Sequence, residues 1–568
     1  MRTTFLLATI LMAAPAMAAH DLVITNGLVL DGTGAPGFKG WVAIDGDRIA
    51  AVGKGKAPAA RTTVDAKGKA IAPGFVNMLS WATESLLVDG RGMSDTKQGV
   101  TLQVMGEGWT MGPLNPAMKA EAISSQGDLK YDVPWTTLGE YLTHLETKGI
   151  TPNVASFVGA TTVRIHELGA GDVDPTPEQL GRMTKLVTEA MNEGAMGVGS
   201  SLIYAPASYA ETPELIALAK AAAQCGGSYI SHMRSEGPHI GAAIDELITI
   251  ARESGAPAEI YHLKISGKDN WGKADAVLKK IADAKAAGLD IRADMYLYEA
   301  GATGLDAAMP TWVQAGGDEA WVKRLKDPEI RKRVLAEMRA PAVGWESLYQ
   351  QAGDASKLLL VDFRNPKLRH LVGKTLAEVA QMRGTSPEDT IIDLVIEDGS
   401  RVGTAYFMIS PENVERFAGL PWVTVGSDAG APAPEGVFLQ SSTHPRAYGN
   451  VARFLGYYVR DRKVDTLESA VHRLSGLGLA LFLPLHFLVL ALSLQGAAKF
   501  EGFLRWTDAP VVKLAEGGLI FLLAVHFLGG LRILFYENFD WRANQTRIAT
   551  AAGGAAAMVA FAFLIRVF

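Results

Sequence analysis

The 568-residue sequence contains little cysteine and no excess of positive charge. Its one cysteine, Cys225, excludes an internal disulfide framework and any zinc or redox motif that needs paired cysteines. Lys and Arg number 54 against 60 Asp and Glu, and they form no basic cluster, so the sequence lacks the electrostatic footprint of a nucleic-acid-binding protein. Any metal ion must therefore be bound by His, Asp or Glu.

The two ends of the chain differ from its middle. Residues 1–19 combine Arg2, an apolar core at 5–14 and a small-residue site at 16–18, a pattern typical of a secretory signal peptide. After about residue 475 the chain has three nearly uncharged runs, 476–494, 514–531 and 548–565. Each run is long enough to cross a hydrocarbon core of about 30 Å as a helix. We therefore predict three transmembrane helices within 471–568 and export of the preceding domain to the periplasm.

Two further patterns divide the middle of the chain. Residues 20–70 contain short apolar strands separated by Asn-Gly and Asp-Gly pairs, which predicts a small β-sandwich. Across 71–470 short apolar strands alternate with helical stretches, for example a helix at 213–224 followed by a strand at 228–233. This alternation predicts an α/β fold, a (β/α)8 TIM barrel.

Polar side chains stand at the ends of several predicted barrel strands, where barrel enzymes place their catalytic groups. These residues are His232, His262, Asp294 and Asp428. The two histidines are one strand–helix unit apart, so their imidazoles lie at the same rim and can share a divalent metal. The alternative for each is a histidine satisfied by structural hydrogen bonds.

Short motifs across 20–475 occur in the order found in a known family. They are IAPGF at 71–75, GVT at 99–101, SHMR at 231–234, HLK at 262–264, ADMYLY at 293–298, GSD at 426–428 and HPRAYG at 444–449. This region resembles the N-acyl-D-amino-acid deacylase (D-aminoacylase) branch of the amidohydrolase superfamily. The resemblance implies that a metal polarises the amide carbonyl, that a metal-bound water attacks it and that an Asp acts as general base.

Individual roles follow from this resemblance. It implies His232 and His262 as metal ligands, and Asp428 as the general base. It also implies that Arg446 binds the substrate carboxylate with both guanidinium arms. Lys264 and Tyr296 match positions near the metal and the substrate. The expected substrate is an N-acyl amino acid.

The sequence departs from the family pattern at two metal-ligand positions. The HxH motif of the first strand is replaced by residues 79–81, Leu-Ser-Trp. At the position of the family's cysteine ligand stands Gly108, next to Glu107. Glu107 can complete a His2Glu set of the kind found in hydrolytic zinc sites, and an exposed loop glutamate is the alternative. We therefore expect one Zn²⁺ rather than two.

The tail from 469 to 568 resembles the cytochrome b556 membrane-anchor subunit of succinate dehydrogenase. It carries HRxSG at 472–476 and HxxxGxR at 526–532. The resemblance implies His526 as an axial ligand of haem b, with His472 near a haem propionate and Ser469 and Arg473 facing a quinone. His486, in the first apolar run, is the competing ligand, and a histidine that only packs between helices is the alternative for either. It also implies a second anchor subunit and the iron–sulfur subunit of succinate dehydrogenase as partners.

The two resemblances meet at 468–475, a segment that fits both families. No strands that would complete the β-sandwich are found after residue 477, which suggests recombination or a misassembled gene. Basic residues also number seven on the side of the first transmembrane run that faces the barrel and four on the other. The positive-inside rule thus opposes the direction given by the signal peptide.

Three hypotheses result for the function. The first is a membrane-tethered periplasmic amidohydrolase with one metal ion, acting on N-acyl-D-amino acids or a related amide. The second is a haem b and quinone-binding anchor fused to a catalytically degenerate barrel. The third is an inactive barrel that binds a ligand or a partner, since the HxH motif is missing.

Overall fold

The computed structural model describes residues 19–476. Nearly all of the predicted signal peptide, and the three predicted transmembrane helices apart from Gly476, lie outside these residues. Among the residues described, none of the helices combines the length and the apolar character that crossing a bilayer requires.

An N-terminal sheet precedes the barrel. Its strands are β1 (His20–Val29), β2 (Phe38–Asp45), β3 (Arg48–Gly53), β4 (Ala60–Asp65) and β5 (Ala70–Ile71). They are ordered β3-β2-β1-β4, and β5 also pairs with β1. The first half of β1 pairs with β4 and its last two residues pair with β5, both in parallel. Where a two-layer sandwich was predicted, the described residues form one mixed sheet, because β1 is long enough to pair with three partners.

Short strands and helices then alternate to the end of the described region. The strands are β6 (Phe75–Asn77), β7 (Val100–Met105), β8 (Asn153–Ser156), β9 (Val158–Gly159), β10 (Gly197–Ser201), β11 (Ser228–His232), β12 (Ala258–Ile260), β13 (Ile291–Met295), β14 (Ala300–Gly304), β15 (Leu358–Asp362), β16 (Gly403–Phe407) and β17 (Val423–Val425). The helices as far as the last barrel strand are α1 (Ser85–Val88), α2 (Met93–Thr96), α3 (Pro116–Ser124), α4 (Leu138–Lys148), α5 (Ala160–Leu168), α6 (Pro177–Asn192), α7 (Thr212–Gln224), α8 (Ile240–Ser254), α9 (Ala274–Ala286), α10 (Asp318–Leu325), α11 (Pro328–Arg339), α12 (Leu348–Ala352), α13 (Leu376–Arg383), α14 (Pro387–Asp398) and α15 (Pro411–Ala418). After β17 come α16 (Arg446–Arg453), a π-helix (Phe454–Asp461) and α17 (Leu467–Ser475).

The barrel consists of parallel strands with helices between them. Strands β6, β7 and β8 pair in that order, and β9 through β13 continue to β17. Strands β8 and β9 are two halves of one barrel position, and a bridge between Ser80 and Ala429 joins the first strand to the last. The predicted helix at 213–224 is observed as α7 and the predicted strand at 228–233 as β11, so the alternation is confirmed in this region.

Local sequence explains where several barrel helices begin. Three of them, α4, α6 and α13, start with a capping box in which a Thr and a Glu or Gln three residues later satisfy each other's backbone N–H groups. Proline occupies the first turn of α6, α7 and α14, where its missing N–H costs nothing.

One insertion interrupts the alternation between β13 and β17. Strands β14, β16 and β15 form a separate antiparallel sheet, and helices α10 to α14 belong to the same stretch of chain. The sequence patterns did not separate this insertion from the barrel. It matters for function because it contributes Thr303, Arg401 and Met408 to the cavity at the barrel mouth.

The interior of the barrel is packed with apolar side chains. Five side chains form this inner cluster: Leu79, Val104, Phe157, Ile230 and Tyr261. Leu79 is 1% exposed. The first position of the missing HxH motif is therefore part of the packed barrel interior.

Candidate metal centre and active site

Three potential metal ligands meet above this inner cluster. His232 ends β11, His262 follows β12 by two residues, and Glu107 lies in the turn after β7. One carboxylate oxygen, Oε1 of Glu107, is 2.8 Å from Nδ1 of His232 and 3.0 Å from Nε2 of His262. All three side chains are buried, and one ligand atom from each lies within 4.8 Å of the others. Two imidazoles and a carboxylate are a donor set that fits one Zn²⁺.

Glycines on both sides of Glu107 shape the turn that carries it. Gly106 and Gly108 have φ angles of 111° and 75°, in the region that favours glycine. A Cβ atom on Gly106 would collide with the backbone of Phe157, and one on Gly108 would collide with Ser201. The turn directs Glu107 inward, and its 4% exposure rules out the alternative of an exposed loop glutamate.

Two functional candidates adopt a left-handed backbone conformation without being glycine. His262 has a φ of 38° and Asp428 a φ of 48°. Each is held by a backbone hydrogen bond: the His262 N–H donates to Asp294 at 2.8 Å, and the Asp428 N–H donates to the carbonyl of Leu79 at 2.9 Å. Backbone conformations of this kind cost energy and concentrate at functional sites.

The charged groups around the three ligands shift one another's pKa values. Burial raises the pKa of Glu107, but the adjacent histidines outweigh it and leave the pKa of this carboxyl below its ordinary value. For His262, burial and Lys264 lower the pKa, whereas Glu236 and Glu107 raise it, and the net pKa is about 10. In the metal-free cluster the Glu107 carboxylate therefore favours the protonated form of the His262 imidazole. A divalent cation can replace that proton.

The other predicted site residues line the same cavity of about 280 Å³. Nη1 of Arg446 is 2.9 Å from Oδ2 of Asp428, and its guanidinium lies 4.5 Å from the centre of the Tyr296 ring. Nζ of Lys264 is 2.7 Å from Nδ1 of His262. Thus the structure brings together Asp428, Arg446, Tyr296 and Lys264 with the three potential ligands.

Burial dominates the acid–base properties of the two aspartates here. It raises the pKa of Asp428, against the lowering effect of Arg446. It also raises the pKa of Asp294 to about 7, although the neighbouring His262 and its N–H lower it.

Sequence reasoning missed two residues of the site. Glu236, 3% exposed, lies 3.0 Å from Nδ1 of His262 and forms an ion pair with Lys264 at 2.5 Å. It follows His232 by four residues, so its position just after a strand end was visible in the sequence. Trp81 donates its indole N–H to Oε2 of Glu107 at 2.9 Å. In the sequence it was noted only as the replacement of a histidine.

The tail residues predicted for haem and quinone contact the N-terminal sheet region or the barrel where the structure describes them. Arg473 is 6% exposed and donates to the backbone carbonyls of Val423 and Ala418. Nδ1 of His472 is 2.7 Å from the carbonyl oxygen of Gly32, and the Ser469 hydroxyl donates to the carboxylate of Asp465 at 3.1 Å. His526 lies outside the described residues. The haem and quinone roles stay predictions.

Comparison with known proteins agrees with this architecture. A D-aminoacylase of Alcaligenes xylosoxydans xylosoxydans is 31% identical over 466 residues, which cover 81% of this chain and 84% of that protein. An N-acyl-D-glutamate deacylase of the same organism is 30% identical, with 81% and 83% covered. A crystal structure of N-acyl-D-glutamate deacylase from Bordetella bronchiseptica, complexed with zinc and a phosphonate inhibitor, matches with a TM-score of 0.66 at 26% identity, covering 82% and 86%.

A solved D-aminoacylase structure matches with a TM-score of 0.65 at 30% identity, covering 81% of this chain and 85% of that chain. In addition, the family model "Succinate dehydrogenase/Fumarate reductase transmembrane subunit" matches residues 451–565, in agreement with the resemblance of the tail. The fold and the relatives place residues 20 to about 475 among the amidohydrolases, enzymes that act on amide C–N bonds. The chain belongs to the D-aminoacylase family of this class.

Proposed function

We propose that the barrel hydrolyses N-acyl-D-amino acids, or closely related amides, with one Zn²⁺ bound by Glu107, His232 and His262. The observation that carries the proposal is the buried group of these three residues beside the ion pair of Asp428 and Arg446. When bound, zinc supplies Lewis-acid polarisation of a carbonyl and a water of lowered pKa. The remaining chemistry belongs to side chains of the chain itself.

Asp428 is the proposed general base. Its carboxylate faces the cavity, and burial raises its pKa. A raised pKa strengthens a carboxylate as an acceptor of the proton that the attacking water loses, and lets it return a proton to the leaving nitrogen. Its left-handed backbone and its hydrogen bond to Leu79 fix the position of the carboxylate.

Arg446, Lys264 and Tyr296 are proposed to bind the substrate carboxylate. Arg446 is 4% exposed, and its Nε has no hydrogen-bond partner among the described residues. Unpaired guanidinium donors in a buried site are suited to a carboxylate that arrives with the substrate. The relatives include deacylases of N-acyl-D-glutamate and N-acyl-D-aspartate, and this supports the choice of D-amino acids.

The test combines metal analysis with a substrate screen on the full-length chain. We expect about one zinc per chain and hydrolysis of an N-acetyl-D-amino acid in preference to its L-enantiomer. Glu107→Gln and His232→Ala should each lose zinc and activity. His370→Ala, which changes an exposed histidine, is the matched control and should keep both. A protein free of metal under zinc-replete conditions, with no turnover, would falsify the proposal.

We further propose that the barrel is tethered to a membrane and exported to the periplasm. The signal-peptide pattern at 1–19 and the transmembrane-subunit match at 451–565 support this. The test is fractionation of cells that produce the full chain, with protease added to intact spheroplasts. Protection of the barrel from protease would place it in the cytoplasm and contradict export.

A second candidate function is a haem b and quinone-binding anchor with a second anchor subunit and an iron–sulfur subunit as partners. The family-model match at 451–565 favours it. It predicts a b-type visible spectrum that His526→Ala abolishes and that His486→Ala leaves in place. Zinc without haem in protein purified from membranes supports the hydrolase; haem without zinc supports the anchor.

A further inference from the structure

Trp81 contacts the metal centre although the indole N–H has no lone pair with which to coordinate a metal ion. We infer that it is a positioning residue: its N–H holds the second oxygen of Glu107, so that the carboxylate presents one oxygen to the ion. This inference rests on the proposed zinc site and adds to it the residue that sets how Glu107 coordinates.

The two oxygens of Glu107 have separate partners. Oε2 accepts the indole N–H of Trp81 at 2.9 Å, whereas Oε1 lies 2.8 Å from His232 and 3.0 Å from His262. Both histidine contacts are made by the same oxygen, the one that Trp81 leaves free. An indole has one donor and no acceptor, so it can orient a carboxylate but cannot replace it as a ligand.

The backbone of Trp81 is anchored from two sides. Its own N–H donates to the carbonyl of Ala429 at 3.0 Å, next to Asp428, and the N–H of Ser80 donates to the carbonyl of Val104 on β7 at 2.9 Å. The preceding Leu79 is packed in the barrel interior. The indole therefore extends from a fixed point between the first, second and last barrel strands.

These contacts explain how a site without the HxH motif can still order its carboxylate. Residues that hold a metal ligand by hydrogen bonds fix its orientation, and their loss typically weakens metal binding about 10- to 100-fold. Without the indole donor, Glu107 would keep its buried charge but could rotate between one-oxygen and two-oxygen coordination.

The test uses two variants of opposite character. Trp81→Phe keeps the aromatic bulk and removes the donor, whereas Trp81→Gln removes the ring and restores an amide donor. We expect Trp81→Phe to weaken zinc binding about 10- to 100-fold, measured by competition with a chromophoric chelator, and Trp81→Gln to recover most of that loss. The reverse order, with Phe near wild type and Gln poor, would mean that Trp81 acts only by packing and would overturn the inference.

Trp109 provides a matched control. Its side chain lines the same cavity, and within residues 19–476 its indole makes no hydrogen bond to Glu107. Trp109→Phe should leave the zinc affinity within about twofold of wild type, because it takes no donor from the ligands. An equal loss in both Phe variants would point to the cavity as a whole and reject a specific role of Trp81.

A metal-independent measurement separates this inference from the proposed function. In the metal-free full chain, a double-mutant cycle of Trp81→Phe and Glu107→Leu, which leaves no acceptor for the indole N–H, should give shifts of the thermal midpoint that do not add, since the two side chains contact each other. Additive shifts would show that the hydrogen bond between Trp81 and Glu107 contributes nothing to stability and would overturn the inference. If wild type binds zinc but Trp81→Phe matches it, only the inference fails. If the wild-type protein binds no zinc, the proposed function fails, but the double-mutant cycle still tests the hydrogen bond between Trp81 and Glu107.

Discussion

Nη1 of Arg446 lies 2.9 Å from Oδ2 of Asp428, and the two side chains are 5% and 11% exposed. The proposed carboxylate-binding cation and the proposed general base thus form one ion pair. A substrate carboxylate that binds the guanidinium competes with Asp428 for it. Because Arg446 lowers the pKa of Asp428, this competition makes Asp428 a stronger base when the substrate is in place.

Removing Arg446 should impair binding of substrates that carry a carboxylate. For Arg446→Met we expect kcat/KM for an N-acetyl-D-amino acid to fall by about 100-fold or more, mainly through KM, since a buried charged hydrogen bond is lost. The control is an amide of similar size without a carboxylate, for which KM should change little. Equal losses for both substrates would show that Arg446 does not bind the carboxylate.

The same variant should change the pH dependence of the reaction. Arg446 lowers the pKa of Asp428, so its removal raises that pKa. The general base must be ionised to accept a proton, and therefore the acidic limb of kcat/KM against pH should move to higher pH. The measurement uses the carboxylate-free amide, so that weak substrate binding does not obscure the profile. A limb that stays in place would exclude Asp428 as the group that titrates.

Asp428→Asn should separate catalysis from metal binding. We expect kcat to fall by roughly 100- to 10,000-fold, the range typical of a lost general base. Zinc content should stay near that of wild type, because Asp428 is not one of the three clustered ligands. Elemental analysis and kinetics on the same preparation check both expectations. Loss of zinc in this variant would reassign Asp428 as a metal ligand.

Zinc binding should release a proton. The pKa of His262 in the metal-free site is about 10, so near neutral pH its imidazole carries a proton that zinc must displace. We expect about one proton released per zinc, measured by titration calorimetry in two buffers of different ionisation enthalpy. Chelation should abolish hydrolysis, and added zinc should restore it. Binding without proton release would show that the histidine is already neutral.

The strand-end rule located His232, His262 and Asp428 from the sequence because each follows a short apolar strand. The burial of Glu107 was harder to predict. It depends on the flanking glycines Gly106 and Gly108, which pack so closely against Phe157 and Ser201 that there is no room for a Cβ atom. Those partners come from other strands, so the local sequence could not identify them.

The contributions of Trp81 and of the insertion after β13 were not predictable in the same way. The direction of the indole depends on the backbone hydrogen bond from Trp81 to Ala429, almost 350 positions away in the chain. Similarly, Arg401 reaches the cavity from a sheet whose strands are separated by long stretches of helix. Long-range pairing of this kind leaves no periodic pattern in the sequence.

A buried carboxyl beneath the site should make stability depend on pH. Asp95 is 1% exposed and accepts hydrogen bonds on Oδ2 from Asn77 at 3.0 Å and Gln103 at 2.8 Å. Burial raises its pKa to about 6, against the lowering effect of these two bonds. The folded state therefore binds this proton more tightly than the unfolded state, and the free energy of unfolding falls as pH rises from about 4 to about 6.

Asp95→Asn should remove this dependence, because the amide oxygen still accepts both hydrogen bonds and carries no charge. The charged form costs up to about 3 kcal/mol above the folded-state pKa, so the variant should gain stability relative to wild type at about pH 7.5 and not at about pH 4.5. Thermal midpoints of both proteins at the two pH values check this. Asp47→Asn, at an almost fully exposed side chain, is the control and should show no such difference. A variant that differs from wild type equally at both pH values would mean that the pKa of Asp95 is not raised on folding.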